Sequence, residues 1–199
     1  MWYLSNTLKA AVQLGEPVVL RNVIPEDRLF DWNLAVRLID ENGQENADLP
    51  EKNKYPESGG FVVHGIENHD RMQYWAALSH EIFKEYGGRN KSVHMYGSLC
   101  KNSKTFGIHR DTADVLYIGI IGKVLWEVYE ERGETKHLMT MESTTQDPIL
   151  SETICPGDVI YIPRGVWHNT IALKNRVGLS IGREWYKMPW EEDEEDNTD

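Results

Sequence analysis

Cysteine is scarce in this chain: two in 199 residues, Cys100 and Cys155. So few thiols imply no disulfide framework, and they suit a reducing compartment, so a cytoplasmic location is expected. Neither thiol has a catalytic context, and both read as incidental or buried packing residues. Long apolar runs are missing as well. Nothing approaches the ~20 consecutive apolar residues of a membrane span. The opening Met1-Trp2-Tyr3-Leu4-Ser5 lacks the basic start and apolar stretch of a secretory signal. Basic patches are also lacking. Lys and Arg number 21 against 32 Asp and Glu, which argues against a surface built to neutralise phosphates. Residues 191–199 hold seven acids and no base; without them the net charge of −11 falls to −4. The body is therefore mildly acidic, and it ends in an acidic, solvated tail.

What is present suits one globular unit. Hydrophobic residues make up 40% and charged residues 27% of the chain, the balance of a soluble domain with a core. A single domain is expected over residues 1–190, helical in 1–90 and a β-barrel in 91–185, followed by the tail. Residues 5–14 carry Leu8, Ala11 and Val12 at helical spacing, with Ser5 as N-cap and Gly15 as stop. Residues 17–21 read as a short strand. Pro25 opens a helix expected to run through Leu29, Trp32, Val36 and Leu38 to about Asp40. Residues 41–60, rich in Asn, Glu and Gly, read as a long loop, a lid or a plain excursion. A strand over 60–64 and an amphipathic helix over 70–86, ended by Gly87-Gly88, follow. From Ser92 the pattern changes to short apolar runs at 93–96, 115–121, 124–129, 137–141, 159–162 and 177–181. Closely spaced strands of this kind predict a β-sandwich or barrel.

Two segments carry the chemistry. The first is Phe106-Gly107-Ile108-His109-Arg110-Asp111. Alternate side chains of a strand share a face, so His109 and Asp111 project together. The second places Gly157, Pro163, Gly165 and His168 at the spacing G-x5-P-x-G-x2-H. That spacing encodes a turn, a strand, a tight Pro-Arg-Gly turn and a histidine entering the next strand. Two imidazoles and one carboxylate with positions left open are the ligand set of non-haem Fe(II) oxygen chemistry. His64, His69, His80 and His137 read as surface or hydrogen-bonded histidines. His94, just ahead of the barrel, is a candidate to line its cavity.

These segments resemble the cupin superfamily, specifically its JmjC-type oxygenase branch. Asp111 stands where classical cupins carry a second histidine. The run from His109 to Val115, then Gly122 and Trp126, looks like the bacterial ribosomal-protein hydroxylases of this branch. So do Ala172-Leu173-Lys174-Asn175 and Ser180-Ile181-Gly182-Arg183, while residues 15–21 are similar to the opening strand of many JmjC-type domains. The close part covers about residues 96–183. The resemblance implies a mainly β architecture with N-terminal helices (α+β), a double-stranded β-helix of the cupin or jelly-roll kind.

It also implies Fe(II) held by His109, Asp111 and His168, with 2-oxoglutarate as cosubstrate and O2 as oxidant. The activity would be hydroxylation, or demethylation by way of hydroxylation, coupled to decarboxylation of 2-oxoglutarate to succinate. Relatives hold the distal carboxylate with a basic residue on the strand after the first motif, where this chain has Val124. Lys123, adjacent to it, and Arg176, on the strand after His168, are the candidates instead, with hydroxyls from Tyr96, Ser98 and Tyr117. Val124 leaves two rivals open: a metal-dependent cupin enzyme without 2-oxoglutarate, such as another dioxygenase or an isomerase, and a non-catalytic metal- or ligand-binding cupin. An acidic body ranks a polypeptide substrate, a basic one foremost, above nucleic acid. A small molecule stays open, and Arg110 and Arg164 beside the ligands offer local charge for an anionic group. The aromatic run Trp185, Tyr186, Met188, Pro189 and Trp190 is expected to pack on the N-terminal helices, with a dimer contact as the other reading.

Overall fold

The structure, a computed structural model, describes residues 2–42, 59–83, 89–103, 105–132, 139–141, 144 and 146–184. Helix α1 (Trp2–Leu14) buries Leu8, Ala11 and Val12. It begins ahead of Ser5, so that residue lies inside the helix and is not its cap. Gly15 stops it as expected. At φ 64° it turns the chain left-handed, and Gly15 N–H and Glu16 N–H reach back to the carbonyls of Val12 and Ala11. Those two bonds satisfy carbonyls that the helix end would otherwise leave without donors.

Strand β1 (Val18–Leu20) follows. The single helix expected from Pro25 is two pieces: a 3-10 turn at Glu26–Arg28 and helix α2 (Trp32–Asn42). Leu29 between them is extended, at φ −76° and ψ 159°. Asp31 explains the break. Its Oδ1 accepts the Leu34 N–H at 3.1 Å, which starts a new helix. The same bond holds the Asp31 carboxyl below the usual carboxylate range. Beyond β2 (Gly60–Val63), a 3-10 turn at Asp70–Met72 leads into helix α3 (Gln73–Phe83).

The remaining strands are β3 (Arg89–Ser98), β4 (Ile108–Arg110), β5 (Asp114–Ile121), β6 (Val124–Arg132), β7 (Met139–Met141), β8 (Leu150–Ile154), β9 (Val159–Ile162), β10 (Val166–Ala172) and β11 (Arg176–Glu184). They form two antiparallel sheets. One has the order β1-β9-β5-β11-β3-β2 and the other β7-β4-β10-β6-β8. This is the expected mainly β fold with N-terminal helices, a double-stranded β-helix.

The two sheets live in different surroundings, and their sequences say so. In β5, Leu116, Ile118 and Ile120 join one core with Leu8, Val12 and Leu38 of the helices, and with Trp75. Val115 and Tyr117 point the other way, into a second core with Val124, Trp126 and Val128 of β6. A strand buried on both faces reads as a continuous apolar run, which β5 does. Strand β6 alternates instead: Val124, Trp126 and Val128 are buried, while Leu125 and Glu127 are only partly so. The five-stranded sheet therefore turns one face outward. Of the loop expected over 41–60, residues 41–42 end α2 and residue 60 opens β2; residues 43–58, Gly87-Gly88, His137, the run at 185–190 and the residues 191–199 lie outside the described residues. Among the described residues no helix is long and apolar enough to cross a membrane.

Candidate metal centre

Strand β4 is short, and its middle residue is His109. Strand β10 pairs with it antiparallel, with His168 directly opposite. The two imidazoles face each other with ring centroids 4.3 Å apart. Asp111 sits just past the end of β4, where its backbone carbonyl accepts the Gly165 N–H at 3.0 Å. That bond ties the first segment to the Pro163-Arg164-Gly165 turn of the second. Gly165 has φ 75°, a conformation that glycine adopts without strain, and the Val166 N–H closes the turn on the Pro163 carbonyl. One ligand atom from each of His109, Asp111 and His168 falls within a 4.8 Å span, and Asp111 Oδ2 lies 3.5 Å from His168 Nε2.

The state of the imidazoles suits a metal. His109 Nδ1 lies 2.8 Å from the Gly107 carbonyl, and His168 Nδ1 lies 3.0 Å from the Val166 carbonyl. A carbonyl only accepts, so each Nδ1 carries the proton and each Nε2 keeps its lone pair. Burial, then the neighbouring His109, pushes the His168 pKa down to about 4 against the pull of Asp111. Its ring is thus neutral at ordinary pH. His168 as a neutral imidazole, His109 with its Nδ1 held by a carbonyl, and the Asp111 carboxylate form a ligand set that fits Fe(II).

Opposite this group, on the six-stranded sheet, lies a buried cation. Arg176 opens β11 with 5% of its surface exposed. Its Nε donates to Ser98 Oγ at 3.1 Å and its Nη1 to Tyr117 Oη at 3.2 Å. Gly178 makes that second contact possible. A Cβ there would stand 2.0 Å from Tyr117 Oη, so only glycine leaves room for the phenol. Tyr96 feels both halves. Burial foremost, with the charge of Asp111 adding, raises its pKa beyond the usual phenol value, while Arg176 opposes the rise. The phenol therefore remains a proton donor between the carboxylate and the guanidinium. Lys123 does not join them. It is exposed in the β5–β6 turn, with its carbonyl accepting the Leu173 N–H. The neighbour at the usual basic position, Val124, is packed in the inner core. Of the two basic candidates, the fold buries Arg176 and leaves Lys123 in solvent.

The remaining histidines divide. His69 caps the turn at Asp70–Met72 and contacts Glu41, and His80 is exposed on α3. His94, on the strand that carries Tyr96 and Ser98, meets His64 with 3.1 Å between their Nδ1 atoms. From this pair a file of rings leads through Tyr96 and Phe106 to His109. His94 thus lies near the cavity, and it brings His64, which reads as ordinary from sequence, with it.

Asp114 carries a role the motifs did not announce. It is fully buried and accepts the Arg164 N–H at 2.8 Å, so it fixes the turn that delivers His168. Its signal was present: an acid heading an apolar strand must find a partner once buried. Trp126, quoted only as context for the first segment, stacks on His168 with centroids 5.4 Å apart.

The profile of the JmjC domain matches residues 68–189. The chain belongs to the JmjC domain family. This JmjC chain is 33% identical over 93 residues to the bifunctional lysine-specific demethylase and histidyl-hydroxylase NO66 of Drosophila simulans, covering 44% of this chain and 11% of that protein. It is 35% identical over 79 residues to the ribosomal protein uL16 3-hydroxylase of Escherichia coli, covering 38% of this chain and 21% of that one. Only a minor part of each curated relative is therefore spanned. Among solved structures, YcfD, a ribosomal oxygenase from Escherichia coli in complex with cobalt and 2-oxoglutarate, superposes with a TM-score of 0.60. The match covers 86% of this JmjC chain and 49% of that chain at 22% identity, a likeness of fold.

Proposed function

We propose that this chain is an Fe(II)- and 2-oxoglutarate-dependent oxygenase that hydroxylates a polypeptide side chain, or demethylates one by way of hydroxylation. The observation that carries the reading is the pairing of two half-sites across the barrel. A His-Asp-His group able to hold a metal is linked, through the ring contacts His168–Trp126–Tyr117, to a buried arginine hydrogen-bonded to Ser98 and Tyr117. His109, Asp111 and His168 would hold the iron, which when bound supplies O2 activation coupled to decarboxylation of 2-oxoglutarate. The protein's own part is placement. Arg176 would pair with the distal carboxylate, a charge-assisted contact that is strong where water is excluded. Ser98 and Tyr117 keep the guanidinium aimed, and Tyr96 offers a hydroxyl donor between the two halves. The apolar walls from Val115, Val128 and Ile160 keep the site dry.

A polypeptide substrate agrees with relatives named for lysine demethylation, histidyl hydroxylation and hydroxylation of a ribosomal protein. A basic peptide suits a chain of net charge −11, and the cytoplasm is the compartment we assign. The test is succinate formation with Fe(II), 2-oxoglutarate and O2, together with mass spectrometry of a peptide library for the gain of an oxygen or loss of a methyl group. Peptide-stimulated succinate release is the expected result. No 2-oxoglutarate uptake under any condition would leave a cupin of another class.

A further inference from the structure

Trp126 lies in the inner core with 4% of its surface exposed. Its ring stands between the two half-sites. On one side it stacks on His168 at an interplanar angle of 23°, and on the other it meets the Tyr117 ring with centroids 5.0 Å apart. Its indole Nε1 is buried and has no hydrogen-bond partner among the described residues. An indole nitrogen can only donate, and buried donors are seldom left unsatisfied, because stripping one of water costs free energy that nothing returns. The Trp126 neighbours in the core are mostly aliphatic: Val115, Val124, Val128 and Ile160. Of the hydroxyls around it among the described residues, Tyr117 Oη is engaged with Arg176, and Thr170, opposite Trp126 in the β6–β10 ladder, makes no bond to the indole nitrogen.

We infer that Trp126 is a cosubstrate-positioning residue whose indole N–H donates to an oxygen of bound 2-oxoglutarate, between the metal ligands and Arg176. This rests on the oxygenase reading above and adds a third protein contact to it. The acceptor's chemistry is specific: a carboxylate or keto oxygen held in a dry cavity. A donor already in place and unsatisfied gains most from such an acceptor, since no competing bond must break first. The chain thus replaces part of what its relatives obtain from a cation at the position of Val124. The neighbouring side chain on the same face of β6, two residues on, supplies a neutral donor.

The test uses the full chain loaded with Zn(II), a diamagnetic stand-in for Fe(II), and labelled with nitrogen-15 at tryptophan. The Trp126 indole resonance is assigned by its disappearance in Trp126→Phe. Should that variant not fold, through-space contacts to the Tyr117 ring assign it instead. On saturation with 2-oxoglutarate, followed in parallel by calorimetry, the Trp126 indole proton is expected to move downfield and to exchange more slowly with solvent. In Trp126→Phe the dissociation constant for 2-oxoglutarate is expected to rise about tenfold to a hundredfold with Zn(II) affinity retained. An indole signal that stays still while calorimetry reports saturation overturns this contact and leaves the oxygenase reading standing. Absence of any calorimetric binding to the parent chain overturns both.

Discussion

In the proposed site His109, Asp111 and His168 would each contribute one of three protein ligands, so no one of them is redundant. Substituting any of the three by Ala is expected to abolish tight Fe(II) or Mn(II) binding in calorimetry. His80→Ala, on the exposed side of α3, is expected to bind as the parent does. Arg176 and Lys123 separate just as cleanly. Removing one partner of a desolvated charge pair costs on the order of 2–5 kcal/mol, or about thirtyfold or more in affinity. Arg176→Ala is therefore expected to raise the KM for 2-oxoglutarate by at least that factor while leaving metal affinity near normal. Lys123→Ala is expected to change neither, because its side chain is in solvent. An unchanged KM in Arg176→Ala would remove Arg176 from the site.

At the scale of strands and helices, the seat of the Tyr117 phenol of β5 over β11 depends on Gly178. Its substitution by Ala would drive a methyl group into the Tyr117 phenol. Gly178→Ala is expected to lower Tm and to raise the KM for 2-oxoglutarate, since Tyr117 must leave Arg176; Tm and steady-state kinetics read the two effects. The elements themselves were unevenly legible from sequence. Strand β5 announced itself because both faces are buried, and after Asp114 every residue is apolar or glycine. Strands β8 and β10 did not. Ser151, Glu152, Asn169 and Thr170 are polar and at least partly exposed, which dilutes the apolar pattern. The break before α2 hides behind a helical spacing that continues through it; Asp31 was the available sign. The cluster of His109, Asp111 and His168 could be expected from spacing because local turns bring the three together. The difference in burial between Arg176 and Lys123 could not be read that way. It depends on which strand end is covered by the opposite sheet, a property of packing that no short segment encodes.

At the scale of the whole molecule, the buried imidazole couples stability to pH. The folded His168 pKa lies near 4, against 6.5 for the free side chain. Between those values the unfolded chain binds a proton that the folded chain refuses, so stability falls as pH drops through that window. Above the upper value both states are neutral at this residue and its effect is flat. The loss is on the order of 3 kcal/mol for the metal-free protein. Urea denaturation of the metal-free chain from neutral pH down to about pH 4 is expected to show it. His168→Gln, which cannot take up that proton, is expected to flatten the dependence. A parent and variant that decline in parallel would assign the acid sensitivity to other groups.

Of the proposed ligands, His109 and His168 belong with Trp126 to the five-stranded sheet and Asp111 follows directly on its strand β4, whereas Arg176, Ser98, Tyr117 and Tyr96 belong to the six-stranded one. A molecule held by both halves therefore acts as a rivet through two plates. The metal alone grips one plate, and an organic diacid without metal has only the other to hold. With both present, breathing of the barrel mouth is damped on its two sides together. Amide deuterium uptake is then expected to slow in concert in β4 and β11, and to a far smaller degree with either component alone. The site would thus register the joint arrival of metal and cosubstrate as a change in the rigidity of its own walls.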